Sequence, residues 1–150
     1  MTTGVIASPL GPLYVTVKAE AITRLSWEGE GSDEHPLIAE TGRQLQHYFK
    51  RELTEFDLPL SPNVTPAQQR FLDALVAIPY GETMTYGQIS KKLGISAQAA
   101  GQACGANPIS IVVPCHRVIG TGHLGGFSAP DGIEKKVELL KLEGAASLLI

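Results

Sequence analysis

Cysteine is scarce in this sequence, and so are patterns that hold a metal. Its 150 residues include only two cysteines, Cys104 and Cys115, outside any CxxC pair, together with four scattered histidines. Structural zinc sites need closely spaced cysteine and histidine ligands, so we expect neither a metal nor another cofactor. In a reducing compartment the two thiols are expected to stay free.

Long apolar runs are absent as well. No stretch approaches the roughly 18 apolar residues that mark a membrane-spanning helix. Residues 1–11 lack the basic start and the long apolar stretch of a signal peptide. We therefore predict a cytoplasmic protein without membrane contact, and a monomer, since nothing in the sequence indicates an oligomer.

The sequence also lacks an excess of positive charge. Its formal net charge is −3 and its pI about 5.8, which is not typical of a strong general nucleic-acid binder. The acid is concentrated in residues 1–64, with 5 Lys/Arg against 9 Asp/Glu, whereas residues 65–150 hold 7 against 6. The second part is nearly neutral, which permits a nucleic-acid contact without requiring one.

The first part of the chain has strand patterns followed by a helix pattern. Apolar and polar residues alternate over Leu13–Lys18, and Ala21–Trp27 is predicted to be the partner strand. Pro36–Lys50 has the spacing of an amphipathic helix, with Leu37, Ile38, Leu45, Tyr48 and Phe49 on its apolar face. Three prolines between positions 59 and 66 indicate a connector. We predict a small N-terminal domain, residues 1–64, made of a β-sheet and a helix.

The second part is predicted to be mainly helical. Thr65 caps a helix whose apolar stripe contains Phe71, Leu72, Leu75 and Val76. Two short helices, over 86–93 and 97–104, are separated by Gly94 and form a helix-turn-helix pattern. A last helix has Ile133, Val137 and Leu140 as its stripe. The predicted fold class is α/β (α+β), with a C-terminal domain over residues 65–150.

Cys115 is the residue whose side chain is most clearly suited to act as a reactive group. A thiolate is a strong nucleophile, but a free thiol is mostly protonated at neutral pH and needs a base or a cation nearby. His116 and Arg117 follow it directly, and Pro114 precedes it. On these grounds alone, a reactive nucleophile and a buried structural cysteine are both open.

Several spaced motifs resemble one family. Pro114-Cys115-His116-Arg117-Val118, with Asn107-Pro108 before it, is similar to the active-site motif of the O6-alkylguanine-DNA alkyltransferases. The stretch Ile78–Gly87 and the closing segment with Gly125-Gly126-Phe127, Lys136 and Glu143-Gly144 follow in the family's order. The resemblance covers residues 65–144 and implies direct-reversal repair, in which an alkyl group moves irreversibly from O6-alkylguanine in double-stranded DNA to the protein.

The resemblance implies a role for each matching residue of the acceptor site. Cys115 is the alkyl acceptor, His116 takes its proton through a bound water, and Glu143 orients the histidine. Asn107 braces the turn around the site, and Lys136 favours the thiolate. A solvated carboxylate at a helix end is the alternative for Glu143.

A second group of residues is implied to hold the base. Tyr86 donates its hydroxyl to the base or to the adjoining phosphate, and Ser128 offers its backbone amide to the oxygen. The backbone carbonyls of Cys115 and Val118 hold the exocyclic amine. Phe127, where a tyrosine is common, lies at the edge of the pocket. Simple core packing is the alternative for Tyr86.

The resemblance also implies that the base is flipped out of the duplex and that the helix from Ala97 enters the minor groove. The small residues of this helix allow close approach to DNA, although they equally suit tight helix packing. Gln98 stands where the family usually has an arginine, which predicts weaker DNA binding. The implied DNA contacts are Thr85, Ala97, Gln98, Ala99, Gly101 and Arg117.

Three other functions remain open from the sequence. Dealkylation of free bases or small molecules by the cysteine is the first alternative, which the low basic charge favours. A non-catalytic module that binds alkylated DNA is a second alternative, against which Cys115 itself argues. A cysteine hydrolase is the third, although a thioether has no easy hydrolytic exit. Alkylated thymine, modified at O4, is a further candidate lesion.

Overall fold

The computed structural model describes residues 1–120 and 132–145. The chain forms two compact units, one with Met1–Asn63 and Pro108–Ser110, the other with Val64–Asn107 and Ile111–Ile150. The predicted domains were continuous, with a boundary between residues 64 and 65, so the assignment of residue 64 and of residues 108–110 differs. Within the described residues, no helix is both long enough and apolar enough to cross a membrane.

The first unit contains a three-stranded antiparallel sheet. Its strands are β1 (Thr2–Ile6), β2 (Leu13–Lys18) and β3 (Ala21–Ser26), in the order β1-β2-β3. Only two strands, a pair, were predicted from the sequence. Strand β1 was not among them, because Gly4 is the only residue of that strand that is buried and no apolar alternation marks it.

One helix, α1 (Pro36–Phe49), completes the first unit. The imidazole of His35 caps it, with Nδ1 accepting from the Leu37 amide at 3.0 Å. Ile38, Leu45 and Tyr48 are buried as predicted, whereas Leu37 and Phe49 are only half-buried. The predicted helix is therefore confirmed with a narrower apolar face.

Two short segments cover the open edge of β3. Ile22 donates to the carbonyl of Pro59 at 2.8 Å, and Leu25 donates to that of Pro108 at 2.9 Å. An exposed edge strand leaves unpaired backbone groups, and these segments satisfy them. The pairing of Leu25 with the segment around Pro108 explains why residues 108–110 belong to the first unit.

The second unit is built from helices, as predicted: α2 (Pro66–Val76), α3 (Tyr86–Leu93), α4 (Ala97–Gly105) and α5 (Gly132–Leu142). Phe71, Leu72 and Leu75 are buried on α2, but Val76 is 55% exposed, contrary to the prediction. On α5 the prediction was also wrong for Ile133, which is 48% exposed.

Capping residues define where the two helices of the helix-turn-helix begin and where the first one ends. Thr85 and Gln88 form a reciprocal capping box at the start of α3. Gly94 ends α3 with a φ of 68°, a left-handed conformation that glycine adopts without steric cost. Ser96 then caps α4 by accepting from the Ala99 amide at 3.0 Å. The predicted motif is confirmed.

Short elements connect the helix-turn-helix to the segment that carries Cys115. Strand β4 (Met84–Thr85) pairs in parallel with β5 (Val118–Ile119). A single turn of 3-10 helix, Cys115–Arg117, leads directly into β5. This pairing fixes the start of α3 beside the end of the PCHRV segment.

Candidate active site

Cys115 lies in a tight, buried turn. Every residue from 111 to 120 is buried, and Cys115 itself is 5% exposed. Pro114, with φ −83° and ψ 68°, forms an inverse γ-turn in which the Cys115 amide donates to the Val113 carbonyl at 2.9 Å. The same carbonyl accepts from Nδ2 of Asn107 at 2.9 Å. Asn107 therefore braces the turn that presents the sulfur.

Backbone strain precedes this turn. Ile111 has a φ of 70°, which is rare for a β-branched residue. Such strain persists only where the surrounding structure holds it, and it concentrates at functional sites. Ile111 is 1% exposed, so the residues packed around its side chain hold the backbone in this conformation.

The surroundings of Cys115 favour its thiolate. Hydrogen bonds from the Cys104 thiol, and then from the side chain of Asn107, lower the pKa of Cys115, and the ammonium of Lys136 acts in the same direction. Burial opposes them. A sulfur with these neighbours is the kind that acts as a nucleophile.

His116 is fully buried and points one nitrogen at a carboxylate. Its Nε2 is 2.7 Å from Oε2 of Glu143. Because a carboxylate can only accept, Nε2 carries the proton, and Nδ1 of the neutral ring keeps its lone pair. Among the described residues Nδ1 has no hydrogen-bond partner. Burial lowers the pKa of His116, so the ring is neutral and Nδ1 can accept a proton.

Arg117, which the resemblance placed among the DNA contacts, is buried in the structure. Its guanidinium is buried and donates to Glu143 Oε1 at 2.8 Å, to Glu143 Oε2 at 3.1 Å and to the Ile78 carbonyl at 2.7 Å. It also lies 5.8 Å from the centre of the Tyr80 ring. All three guanidinium nitrogens donate to protein groups, which argues against the predicted contact with DNA. The guanidinium holds the carboxylate that contacts His116.

Lys136 is a buried ammonium beside the acceptor segment. Its Nζ donates to the Val118 carbonyl at 2.6 Å and lies 5.8 Å from the centre of the Tyr86 ring. Burial lowers the pKa of Lys136 and raises that of Tyr86 to about 12, so the phenol keeps its proton at neutral pH. Tyr86 is half-buried, which leaves part of its side chain open to solvent.

Helix α4 presents small and polar residues to solvent. Ala97, Gln98 and Gly101 are exposed, whereas Ala100 is fully buried against the unit. A Cβ added at Gly101 would meet no atom within 4 Å. Internal packing therefore does not require a glycine there. Ala99, another predicted DNA contact on α4, is half-buried. Thr85, the predicted contact before α3, caps that helix, because its hydroxyl accepts from the Gln88 amide.

The remaining predicted site residues, Ser128 and Phe127, lie outside the described residues, as do Gly125 and Gly126. Two contributors were missed. Cys104 contacts the acceptor segment, and the Ile78 carbonyl anchors Arg117. A lone cysteine near a helix end carries no sequence signal for such a contact, and a backbone carbonyl carries none at all. No group of three or more potential metal ligands occurs within residues 1–120 and 132–145.

Comparison with known proteins agrees with this arrangement. The family profile described as 6-O-methylguanine DNA methyltransferase, DNA binding domain, matches residues 66–145, and the ribonuclease-like domain of the same family matches residues 1–62. A methylated-DNA–protein-cysteine methyltransferase of Methanosarcina acetivorans is 40% identical, with 94% of this chain and 97% of the relative covered.

A DNA base-flipping protein of Thermus thermophilus is 37% identical over 93% of this chain and 98% of its own length. The crystal structure of Mycobacterium tuberculosis OGT in complex with DNA superposes with a TM-score of 0.85 at 41% identity, covering 97% of this chain and 94% of that one. Both halves of the chain match, and they match in order. The chain belongs to the 6-O-methylguanine DNA methyltransferase family.

Proposed function

We propose that this protein repairs double-stranded DNA by moving the alkyl group of O6-alkylguanine onto its own Cys115. The observation that carries the proposal is the buried Cys115 next to the His116–Glu143 pair, with Nδ1 of His116 left to accept a proton. The similarity to methylated-DNA–protein-cysteine methyltransferases supports the same reaction.

The chemistry follows from these positions. The Cys115 proton passes through one water to Nδ1 of His116, and Glu143 stabilises the resulting imidazolium. The sulfur then attacks the alkyl carbon, a C–S bond forms, and the electron pair of the breaking C–O bond stays on the guanine oxygen. Tyr86, which keeps its phenolic proton, donates to the base as that charge develops. The proton from the thiol ends on the restored guanine.

The reaction is a single event for each molecule. A thioether sulfur is a poor leaving group, so water cannot regenerate the thiol. The stability of the thioether therefore argues against a hydrolase. The presence of a cysteine at this position argues against a module that only binds alkylated DNA. The protein is consumed in stoichiometric amounts, and we propose that it acts as a monomer.

Helix α4 is the proposed contact with DNA. Its exposed face carries Ala97, Gln98 and Gly101, and Gly101 has open space where a side chain would be. A missing side chain without an internal reason fits a surface that a second body approaches closely. Gln98 is proposed to take the position of the flipped base, without the charge that an arginine would bring.

Intact-mass measurement tests the proposal. The protein is mixed with a duplex that carries one O6-methylguanine, next to a Cys115→Ala variant that keeps Cys104. A gain of one methylene, S–H becoming S–CH3, is expected on the wild type alone and on the Cys115 peptide. Parallel reactions with free O6-methylguanine and with a duplex that carries O4-methylthymine define the substrate range. Transfer from the free base but not from the duplex would contradict DNA repair.

A further inference from the structure

Cys104 is a second thiol at the acceptor site that no matching motif assigns. It lies near the end of α4 and is 8% exposed. Its Sγ donates to the backbone carbonyl of Cys115 at 3.5 Å, so the thiol lies against the residue that carries the nucleophile, and it lowers the pKa of the Cys115 thiol. One donor therefore has two acceptors available on the same residue.

The carbonyl of Cys115 does not depend on this donor. It also accepts from the Val118 amide, in the bond that closes the 3-10 turn. If the Cys104 proton turned away, the carbonyl would keep a partner and no buried acceptor would be left unsatisfied. This change of acceptor requires only that the S–H bond of Cys104 rotate about its Cβ–Sγ bond. The structure thus gives Cys104 freedom to change acceptor at low cost.

We propose that Cys104 is a positioning residue that donates its thiol proton to the Cys115 sulfur when that sulfur becomes a thiolate. This inference rests on the proposed function, in which Cys115 is the nucleophile. An anionic sulfur is a stronger acceptor than a carbonyl that already has a hydrogen bond, so deprotonation of Cys115 draws the S–H toward it. Together with Asn107, Cys104 then forms a two-donor cradle for the negative charge.

The two thiols are not interchangeable. Hydrogen bonding to Cys115, and then burial, raises the pKa of Cys104, whereas the pKa of Cys115 is lowered. Cys104 therefore keeps its proton under conditions in which Cys115 loses its own. The donor and the nucleophile are assigned by position, since Asn107 braces the turn that carries Cys115 and its side chain lowers the pKa of that thiol.

Iodoacetamide provides a test that does not involve DNA. Its rate of reaction with Cys115 is followed against pH by peptide-resolved mass spectrometry, under reducing conditions, for the wild type, Cys104→Ala and Cys104→Ser. Gln102→Ala, an exposed change on the same helix, is the control. For Cys104→Ala we expect the midpoint of the pH profile to rise by about one pH unit, since a hydrogen bond to a charged group changes an equilibrium about tenfold. Cys104→Ser, which keeps a donor, should return the midpoint toward the wild-type value.

A second measurement follows methyl transfer from an O6-methylguanine duplex at neutral pH, where Cys104→Ala should be about tenfold slower and Cys104→Ser close to wild type. A wild-type midpoint in Cys104→Ala would overturn the proposal. So would equal shifts in both variants, which would mean that the sulfur acts by packing. If the wild type shows the low midpoint but no methyl transfer from the duplex, the proposed function fails and the role of Cys104 as a donor stands.

Discussion

At the scale of single residues, Glu143 connects the parts of the candidate site. One carboxylate oxygen accepts from His116, and both accept from Arg117. The three side chains are buried, so the charges of Glu143 and Arg117 interact with little screening by water. The orientation of the His116 ring and the stability of the second unit therefore depend on the same carboxylate.

Replacement of the Glu143 carboxylate should lower the stability of the protein and slow methyl transfer. Glu143→Gln removes the charge that pairs with Arg117 and leaves a buried guanidinium uncompensated, which costs about 3–5 kcal/mol in the free energy of unfolding. Loss of the support for His116 should slow methyl transfer roughly 10²-fold. Urea denaturation and single-turnover transfer assays measure the two effects. Glu138→Gln, an exposed change on the same helix, is the control, and equal behaviour of the two variants would contradict the assignment.

Burial of His116 also predicts a pH dependence of stability. Its pKa in the folded protein is lowered from 6.5, first by burial and then by the charges of Arg117 and Lys136, against the opposing effect of Glu143. Below pH 6.5 the unfolded chain binds a proton that the folded protein resists, so the free energy of unfolding falls as the pH falls.

Denaturant titrations between about pH 5 and 7.5 check this prediction. The slope of stability against pH should be smaller in His116→Gln than in the wild type. Gln46→Ala, a change of an exposed and uncharged residue of α1, should keep the wild-type slope. A variant of His116 with an unchanged slope would show that another group titrates in this range.

At the scale of elements, α4 is the proposed contact with DNA. Its exposed position 98 carries glutamine and no charge. Gln98→Arg should tighten binding to an alkylated duplex roughly tenfold at low salt, because it adds a charged donor. The slope of log affinity against log salt should become steeper by about one.

Binding titrations over a range of salt concentrations measure both quantities. Val76→Arg adds the same charge at an exposed position of α2 and serves as the control. If both variants gain equally, the effect is general electrostatics and α4 has no special role. An unchanged affinity in Gln98→Arg would remove α4 from the proposed interface.

At the scale of the whole molecule, reaction should change stability. Cys115 is 5% exposed and lies within ten consecutive buried residues, 111–120. An added methyl in a packed site costs about 1–3 kcal/mol. We expect the S-methylated protein to melt several degrees below the unreacted protein in calorimetry after removal of DNA. Cys115→Ala taken through the same treatment should not change, and a raised melting temperature of the methylated wild type would contradict the prediction.

The local order of the chain was readable from its sequence. Thr85, Gly94 and Ser96 carry capping and turn signals that depend on their own chemistry, so the boundaries of α3 and α4 were predicted nearly to the residue. The spaced motifs around Cys115 likewise identified the family, because they are linear patterns. Strand β1 gave no such signal, since its pairing with β2 rather than its own pattern makes it a strand.

Only the tertiary structure decided which polar side chains lie inside. Arg117 and Lys136 are charged and would be expected at the surface, yet both are buried because a carboxylate or carbonyls on other elements satisfy them. Ile133 and Val76 are exposed for the complementary reason that no element within residues 1–120 and 132–145 covers them. The place of Cys104 beside Cys115 is a contact between segments eleven residues apart. Such partners are brought together by folding, and no local pattern encodes them.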